Sequence, residues 1–222
     1  MRLICLSDTH GYHKNLTIPD GDFLIHVGDF SMKANHSTVK EFSRWLNALP
    51  HAHKILVGGN HDVCLEGSRR WAQEEFAPAH YLMHEQLTLG GLSFFGSPYS
   101  PAIYDPSDWS FDYPPNGSRS HDLWDNIPKK IDVLITHGPP KGILDRVLTP
   151  HRGEDPNVGD VNLLRRVMEI QPRVHCFGHI HEGFGVYKHP TARTRFFNVC
   201  ICDANYKPTN PVTVIDLYYK SI

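Results

Sequence analysis

Five short apolar runs punctuate the chain, and each ends within a few residues in a side chain able to bind a metal. Leu3–Leu6 leads to Asp8-Thr9-His10, Phe23–Val27 to Gly28-Asp29, and Ile55–Val57 to Gly59-Asn60-His61-Asp62. Val133–Ile135 leads to Thr136-His137-Gly138, and Val174–Phe177 to Gly178-His179-Ile180-His181. Short runs that are apolar at successive positions read as parallel strands covered on both faces. Strands are therefore expected over 2–7, 23–27, 54–58, 132–136 and 174–177, with more at 184–188, 195–200 and 212–217. Between the runs the period changes. Val39, Phe42, Trp45, Leu46 and Leu49 recur at helical spacing and predict a helix over 37–49 with one face on a sheet. Shorter helices are expected near 67–76 and 121–126, and Asp160 is placed to cap a helix over 161–170. Residues 80–95 read as a strand and a hairpin turning at Gly90-Gly91. This alternation is α/β, and such sheets bind ligands beyond the carboxyl ends of their strands. If the five runs share one sheet, their polar tips converge on one cleft.

Two stretches break the pattern. Residues 96–120 are rich in Pro, Ser and aromatics and admit neither a regular helix nor a central strand. A loop this long tends to be a functional cover, and Tyr99, Tyr104, Trp109, Phe111 and Tyr113 argue against disorder. Residues 138–160 form the second irregular stretch. No linker, repeat or low-complexity tract separates the 222 residues, so one domain spanning 1–222 is expected.

Composition narrows the class of function. A formal net charge of −2 gives no basic footprint, so tight non-specific binding to nucleic acid is not expected. No apolar stretch is long enough to span a membrane, and Leu3–Leu6 is too short for a signal-peptide core. A cytoplasmic protein is the expectation. Five Cys, without a C-x-x-C pair, do not suggest a disulfide framework, and Cys5, Cys176 and Cys200 read as small buried hydrophobes.

The polar tips carry the chemistry. Asp8 and His10 stand two apart on the turn leaving a strand, where both can reach one ion. Gly28 lets the backbone approach closely, and a carboxylate oxygen of Asp29 can bridge two cations. Asn60 offers a neutral carbonyl oxygen, and His137, His179 and His181 offer imidazoles. A mixed oxygen and nitrogen set without thiolate suits Mn²⁺, Fe²⁺, Zn²⁺ or Ni²⁺, with Mn²⁺ preferred. Seven ligands are too many for one tetrahedral ion but fit two ions that share one ligand. Two metals about 3.5–4 Å apart suit in-line displacement at phosphorus: they bind phosphoryl oxygens and lower the pKa of a bridging water that attacks as hydroxide. The leaving oxygen then needs a proton, and His61 is the natural general acid, with His13 a second choice. Asp62 is placed to hold an imidazole in the right tautomer. Asn60, His61, His13, Trp109 and Arg152 are the candidate substrate contacts, Trp109 by stacking on a base and Arg152, like Arg146, by meeting a phosphate.

Together, Asp8-x-His10, Gly28-Asp29, Gly59-Asn60-His61-Asp62, Thr136-His137-Gly138 and Gly178-His179-x-His181 resemble the calcineurin-like metallophosphoesterase superfamily, whose five motifs they match in order. Phe95-Gly96-Ser97-Pro98, Thr136-His137-Gly138-Pro139-Pro140, Gly142-Ile143-Leu144-Asp145 and Gly178-His179-Ile180-His181-Glu182-Gly183 extend the resemblance to the metallophosphoesterase-domain (MPPED) branch. The resemblance implies a four-layer α/β/β/α sandwich. It implies a first metal on Asp8, His10, Asp29 and His181, a second on Asp29, Asn60, His137 and His179, and His61 as acid. Phe30, Ser31 and Met32 follow the Gly-Asp pair, so the tyrosinate–iron(III) site of purple acid phosphatases is not expected. The expected activity is a dimetal-dependent phosphodiesterase of small nucleotides, including cyclic ones. A phosphomonoesterase or phosphoprotein phosphatase is the alternative, and a non-catalytic metal-binding scaffold the third reading.

Overall fold

The computed structural model describes residues 1–103, 109–115, 118–148 and 155–218. Its first half lays down β1 (Arg2–Leu6), β2 (Phe23–Val27), α1 (His36–Ala48), β3 (His53–Val57), α2 (Arg69–Phe76) and β4 (His80–Tyr81). The hairpin of β5 (Glu85–Leu89) and β6 (Leu92–Ser97) follows. Two-residue strands β7 (Ser100–Pro101) and β8 (Asp112–Tyr113) precede α3 (Ser118–Asp125). The remainder is β9 (Val133–Thr136), α4 (Val161–Ile170), β10 (Val174–Phe177), β11 (Gly185–Lys188), β12 (Arg195–Asn198) and β13 (Thr213–Asp216).

The five apolar runs do not share one sheet. β1, β2 and β3 lie parallel in a sheet ordered β13-β1-β2-β3-β4, whereas β9 and β10 belong to a second, ordered β11-β12-β10-β9-β6-β5. Side-chain alternation explains the difference. Leu3, Cys5, Ile25, Ile55 and Val57 point from the first sheet into one core with Phe94, Val133, Ile135, Val174 and Cys176 of the second. The alternate residues Ile4, Leu6, Leu24 and Leu56 pack outward against Val39, Phe42 and Leu46 of α1 and Ala72 and Phe76 of α2. On the other side Phe95, Leu134, Phe177 and Phe196 pack against Trp124 of α3 and Leu163, Val167 and Ile170 of α4. The runs are apolar at nearly every position, with only His26 and His175 interrupting them, because each strand serves two cores. The layers are therefore α/β/β/α, and the carboxyl ends of strands from both sheets still meet at one edge.

Local chemistry closes the elements. Asn35 caps α1 by accepting from the backbone N–H of Ser37 and Thr38. Asp160 caps α4 through Oδ1, which accepts from Leu163 N at 2.7 Å, while its Oδ2 accepts from the Tyr113 and Ser120 hydroxyls. That pair of hydroxyl bonds ties the 96–120 stretch to α4. The stretch is less irregular than its composition suggests: β6 runs to Ser97, β7 pairs with β8, and α3 begins at Ser118. The two sheets are stitched at the functional edge, where Ser7 N donates to Val199 O at 3.0 Å and Ile201 N to Ser7 O at 2.9 Å.

Candidate metal centre

Each of the seven predicted ligands sits just past a strand end. Asp8 and His10 follow β1, Asp29 follows β2 and Asn60 follows β3 on one side. His137 follows β9, and His179 and His181 follow β10, on the other. Four of them leave the ordinary backbone regions: Asp8, His10, Asp29 and His179 have φ of 50°, 41°, 55° and 67°. Left-handed backbone at non-glycine residues is costly and persists where surrounding contacts hold it. The turns are also too tight for side chains. A Cβ on Gly28 (φ 96°) would stand 2.5 Å from His137 Nδ1, and one on Gly59 would stand 2.6 Å from His137 Cε1 and collide with Asp29 Oδ1.

Hydrogen-bond accounting shows what this crowding requires. His10 Nδ1 faces Ser31 O at 3.2 Å, His181 Nδ1 faces Asp203 O at 2.9 Å and His137 Nδ1 faces Val27 O at 2.9 Å. A carbonyl only accepts, so each Nδ1 carries a hydrogen and each ring turns its Nε2 inward, free to hold either a proton or a metal. The Nε2 atoms of His10 and His181 then confront each other at 3.2 Å, with Asp8 Oδ1 3.4 Å from the latter. His137 Nε2 confronts Asn60 Oδ1 at 3.1 Å and Asp29 Oδ2 at 3.4 Å, and His179 Nδ1 lies 3.1 Å from the same Asn60 oxygen. Such clusters of acceptors repel unless a proton or a cation sits among them, and a divalent ion would take the place of the proton. The donors fall into three sets with ligand atoms within 4.8 Å of one another: Asp8, His10 and His181; His10, Asp29 and His61; and Asp29, His137 and His179. Asp29 and His10 each belong to two, so the sets form one continuous oxygen and nitrogen lining that fits a pair of borderline divalent ions.

Titration behaviour agrees. Burial alone would raise Asp29, but the charges of His137 and His61 outweigh it and hold the carboxyl well below its usual range. Burial likewise opposes charge on His137, yet Asp29 lifts it to about 10. A proton held so firmly marks the place as one demanding positive charge. Burial would also raise Asp8, but the hydrogen bond with His181 and the charge on His137 hold it well below the carboxylate range. His179 is pushed down to about 3 by burial and by the charge on His137, and so presents a neutral ring.

A family model described as Calcineurin-like phosphoesterase matches residues 1–183. The chain belongs to this family. The proteins named metallophosphoesterase domain-containing protein 1 of Homo sapiens and Mus musculus are each 38% identical over 240 residues, covering 97% of this chain and 71% of theirs. The solved phosphopantetheinyl hydrolase of Mycobacterium tuberculosis superposes with a TM-score of 0.64 at 14% identity, covering 99% of this chain and 98% of that one, which shows a shared fold. As a calcineurin-like phosphoesterase, the chain is a metal-dependent phosphoester hydrolase, and its family implies a dimetal centre.

The structure redistributes some of the other predicted residues. His61 lies at the centre: its Nδ1–H donates to Met32 O at 2.7 Å, and its Nε2 is 3.9 Å from Asp29 Oδ2. Trp109 reaches it from the 96–120 stretch, ring centroid 4.2 Å from the His61 ring. His13 turns elsewhere, buried against Phe42 and Trp45 of α1 with Nε2 3.3 Å from Glu41, because the 3-10 turn over Tyr12–Asn15 directs it onto the helix. Asp62 does not orient an imidazole. Its Oδ2 accepts from Asp29 N and Gly59 N, both at 2.9 Å, and so fixes two ligand-bearing turns. Arg146 is exposed and pairs by backbone with Asn157, while Arg152 and His151 lie outside the described residues. Two contributors escaped the sequence reading. Cys200 Sγ donates to Asp8 Oδ2 at 3.1 Å beside the Ser7 hydroxyl, which leaves Asp8 Oδ1 turned to His181. The Tyr206 ring lies 4.9 Å from His10 and 4.8 Å from His181. Neither carries a motif: one is a cysteine in an apolar run, the other a tyrosine in a polar loop.

Proposed function

We propose that the chain is a phosphodiesterase of small nucleotides, cyclic ones included, acting as one domain over 1–222. The observation that carries this is the inward-facing set of imidazole nitrogens and carboxylates, with His61 beside the shared Asp29 and the Trp109 ring against it. Asp8, His10, Asp29 and His181 would hold one cation, and Asp29, Asn60, His137 and His179 the other, with Asp29 shared. When bound, the ions would neutralise phosphoryl charge and activate a water for attack at phosphorus. Mn²⁺ is our preferred ion, with Fe²⁺, Zn²⁺ and Ni²⁺ as alternatives.

The chain's own residues would do the rest. Met32 O accepts the Nδ1 hydrogen of His61, so Nε2 is the atom that takes up and releases a proton. His61 N–H donates to Asp29 Oδ1 at 2.9 Å, which keeps the imidazole in step with the shared ligand. The protonated Nε2 would hand its proton to the leaving oxygen. Trp109 and Tyr206 supply flat walls on which a base can rest.

The test is hydrolysis of nucleoside 2′,3′- and 3′,5′-cyclic monophosphates beside an aryl phosphate diester and its monoester, after metal reconstitution. Faster turnover of the diesters is expected. Preference for the monoester would make the chain a phosphomonoesterase, and stoichiometric metal without hydrolysis would make it a scaffold.

A further inference from the structure

At the opposite end of the sandwich lies a second cavity, of about 590 Å³. Arg173 precedes β10 and Arg195 opens β12, so the cavity sits where these parallel strands begin, whereas the metal centre sits where they finish. Lys188, paired with Arg195 across the β11–β12 ladder, and Arg193 complete a ring of four cations. Asp216 is the one carboxylate in the lining among the described residues, and its Oδ1 is engaged by Arg2 Nε at 3.1 Å. Among the described residues, Lys188, Arg193 and Arg195 form no ion pair.

Three guanidinium groups are anchored by backbone carbonyls; among the described residues Arg193 and Arg195 pair with no carboxylate, and Arg173 has Asp132 Oδ1 4.0 Å from its Nη1. Arg173 Nη2 donates to Tyr218 O at 2.7 Å, Arg193 Nε to Gln171 O at 2.7 Å and Arg195 Nη2 to Asp216 O at 3.1 Å. Arg195 is further held over the Phe197 ring, its Cζ 5.5 Å from the centroid. A guanidinium has five N–H donors, so each anchor leaves several free in a fixed fork, the geometry suited to phosphate. Leu217 and the exposed Tyr218 ring add apolar wall between the charges.

We propose that this cavity binds a small organic polyphosphate with a planar body, of the nucleoside diphosphate class, independently of the metal centre. Among the described residues, four cations against one carboxylate in the lining match two phosphate groups better than one, since a single phosphate group carries at most about two charges. The volume lies within the small-ligand range, and the chain's net charge of −2 speaks against a nucleic-acid track.

The probe is α,β-methylene-ADP, which resists hydrolysis, titrated by calorimetry into the metal-loaded protein. Two binding events are expected, one at each end. Lys188→Glu/Arg193→Glu replaces two exposed side chains; it should weaken one event by at least about tenfold and leave aryl diester turnover and Tm unchanged. Lys188→Gln/Arg193→Gln should weaken the same event less. Tyr218→Ala should weaken the nucleotide but not inorganic pyrophosphate. Unchanged binding in the charge-reversed variant overturns the site, whether the native protein shows one event or two; a single native event that this variant weakens keeps the site and places the failure at the metal centre. Pyrophosphate binding as tightly as the nucleotide analogue overturns the planar body.

Discussion

Asp29→Asn is the sharpest single test of the metal centre. Asp29 Oδ2 stands 3.4 Å from His137 Nε2 and 3.9 Å from His61 Nε2, and its carboxylate belongs to two of the three donor sets. The amide keeps an acceptor for His61 N but removes the negative charge and turns an N–H₂ toward the ligands. An ion held at a hundred times its Kd stabilises the fold by about 2.7 kcal/mol, so two ions add about 5 kcal/mol. For a chain of this size, each kcal/mol shifts Tm by about 2–4 °C, so saturating Mn²⁺ should raise the native Tm by about 10–20 °C over the chelated form. Losing the shared carboxylate weakens both ions, and the rise should shrink to below about 5 °C in Asp29→Asn. Turnover should fall by at least about a hundredfold, since several kcal/mol of charge stabilisation go with the ions. Differential scanning fluorimetry with and without metal reads the first quantity, with circular dichroism confirming an unchanged metal-free fold. A full metal-dependent rise in the variant would refute the shared role.

Three further outcomes follow from the geometry. His61→Asn should keep the metal-dependent Tm rise but slow a diester with a poor leaving group by about 10²–10⁴, and a nitrophenyl diester much less; equal losses would remove the proton-donor role. Gly59→Ala should cost about 1–3 kcal/mol in chemical denaturation, because its Cβ meets His137 and Asp29, and should lower metal stoichiometry; a native-like variant would show that the turn can give way. Buried His26 and His175 are each pushed down to about 3 by burial. The unfolded chain takes up these protons first, so stability falls as pH drops from about 6.5, by a ceiling of about 2 kcal/mol per histidine at pH 5. His175→Gln should flatten that slope between pH 7.5 and 5, and an unchanged slope would place the proton uptake elsewhere.

Much of the centre was legible in the sequence because metal ligation imposes residue types at strand ends: Asp8, His10, Asp29, Asn60, His137, His179 and His181 all announce themselves after apolar runs. The helices over α1 and α4 were legible for the same reason of period, and Asp160 for its capping chemistry. What periodicity does not carry is which face of a strand meets which partner. The runs suggested one sheet, and only packing showed two sheets sharing a core, with Leu3 and Ile4 on opposite sides of the same strand. His13 read as a neighbour of the chemistry, yet one 3-10 turn sends it to Trp45. Tyr206 and Cys200 are far in sequence from Asp8 and His10 and carry no spacing rule; they reach the centre through the Ser7–Cys200 bridge and the loop that follows it. The four cations of the second cavity stand on separate segments between Arg173 and Arg195 and become a cluster only because β11, β12 and β10 lie side by side in one sheet. Local chemistry is written in the chain by residue type and period, whereas convergence depends on long-range register, which the fold alone decides.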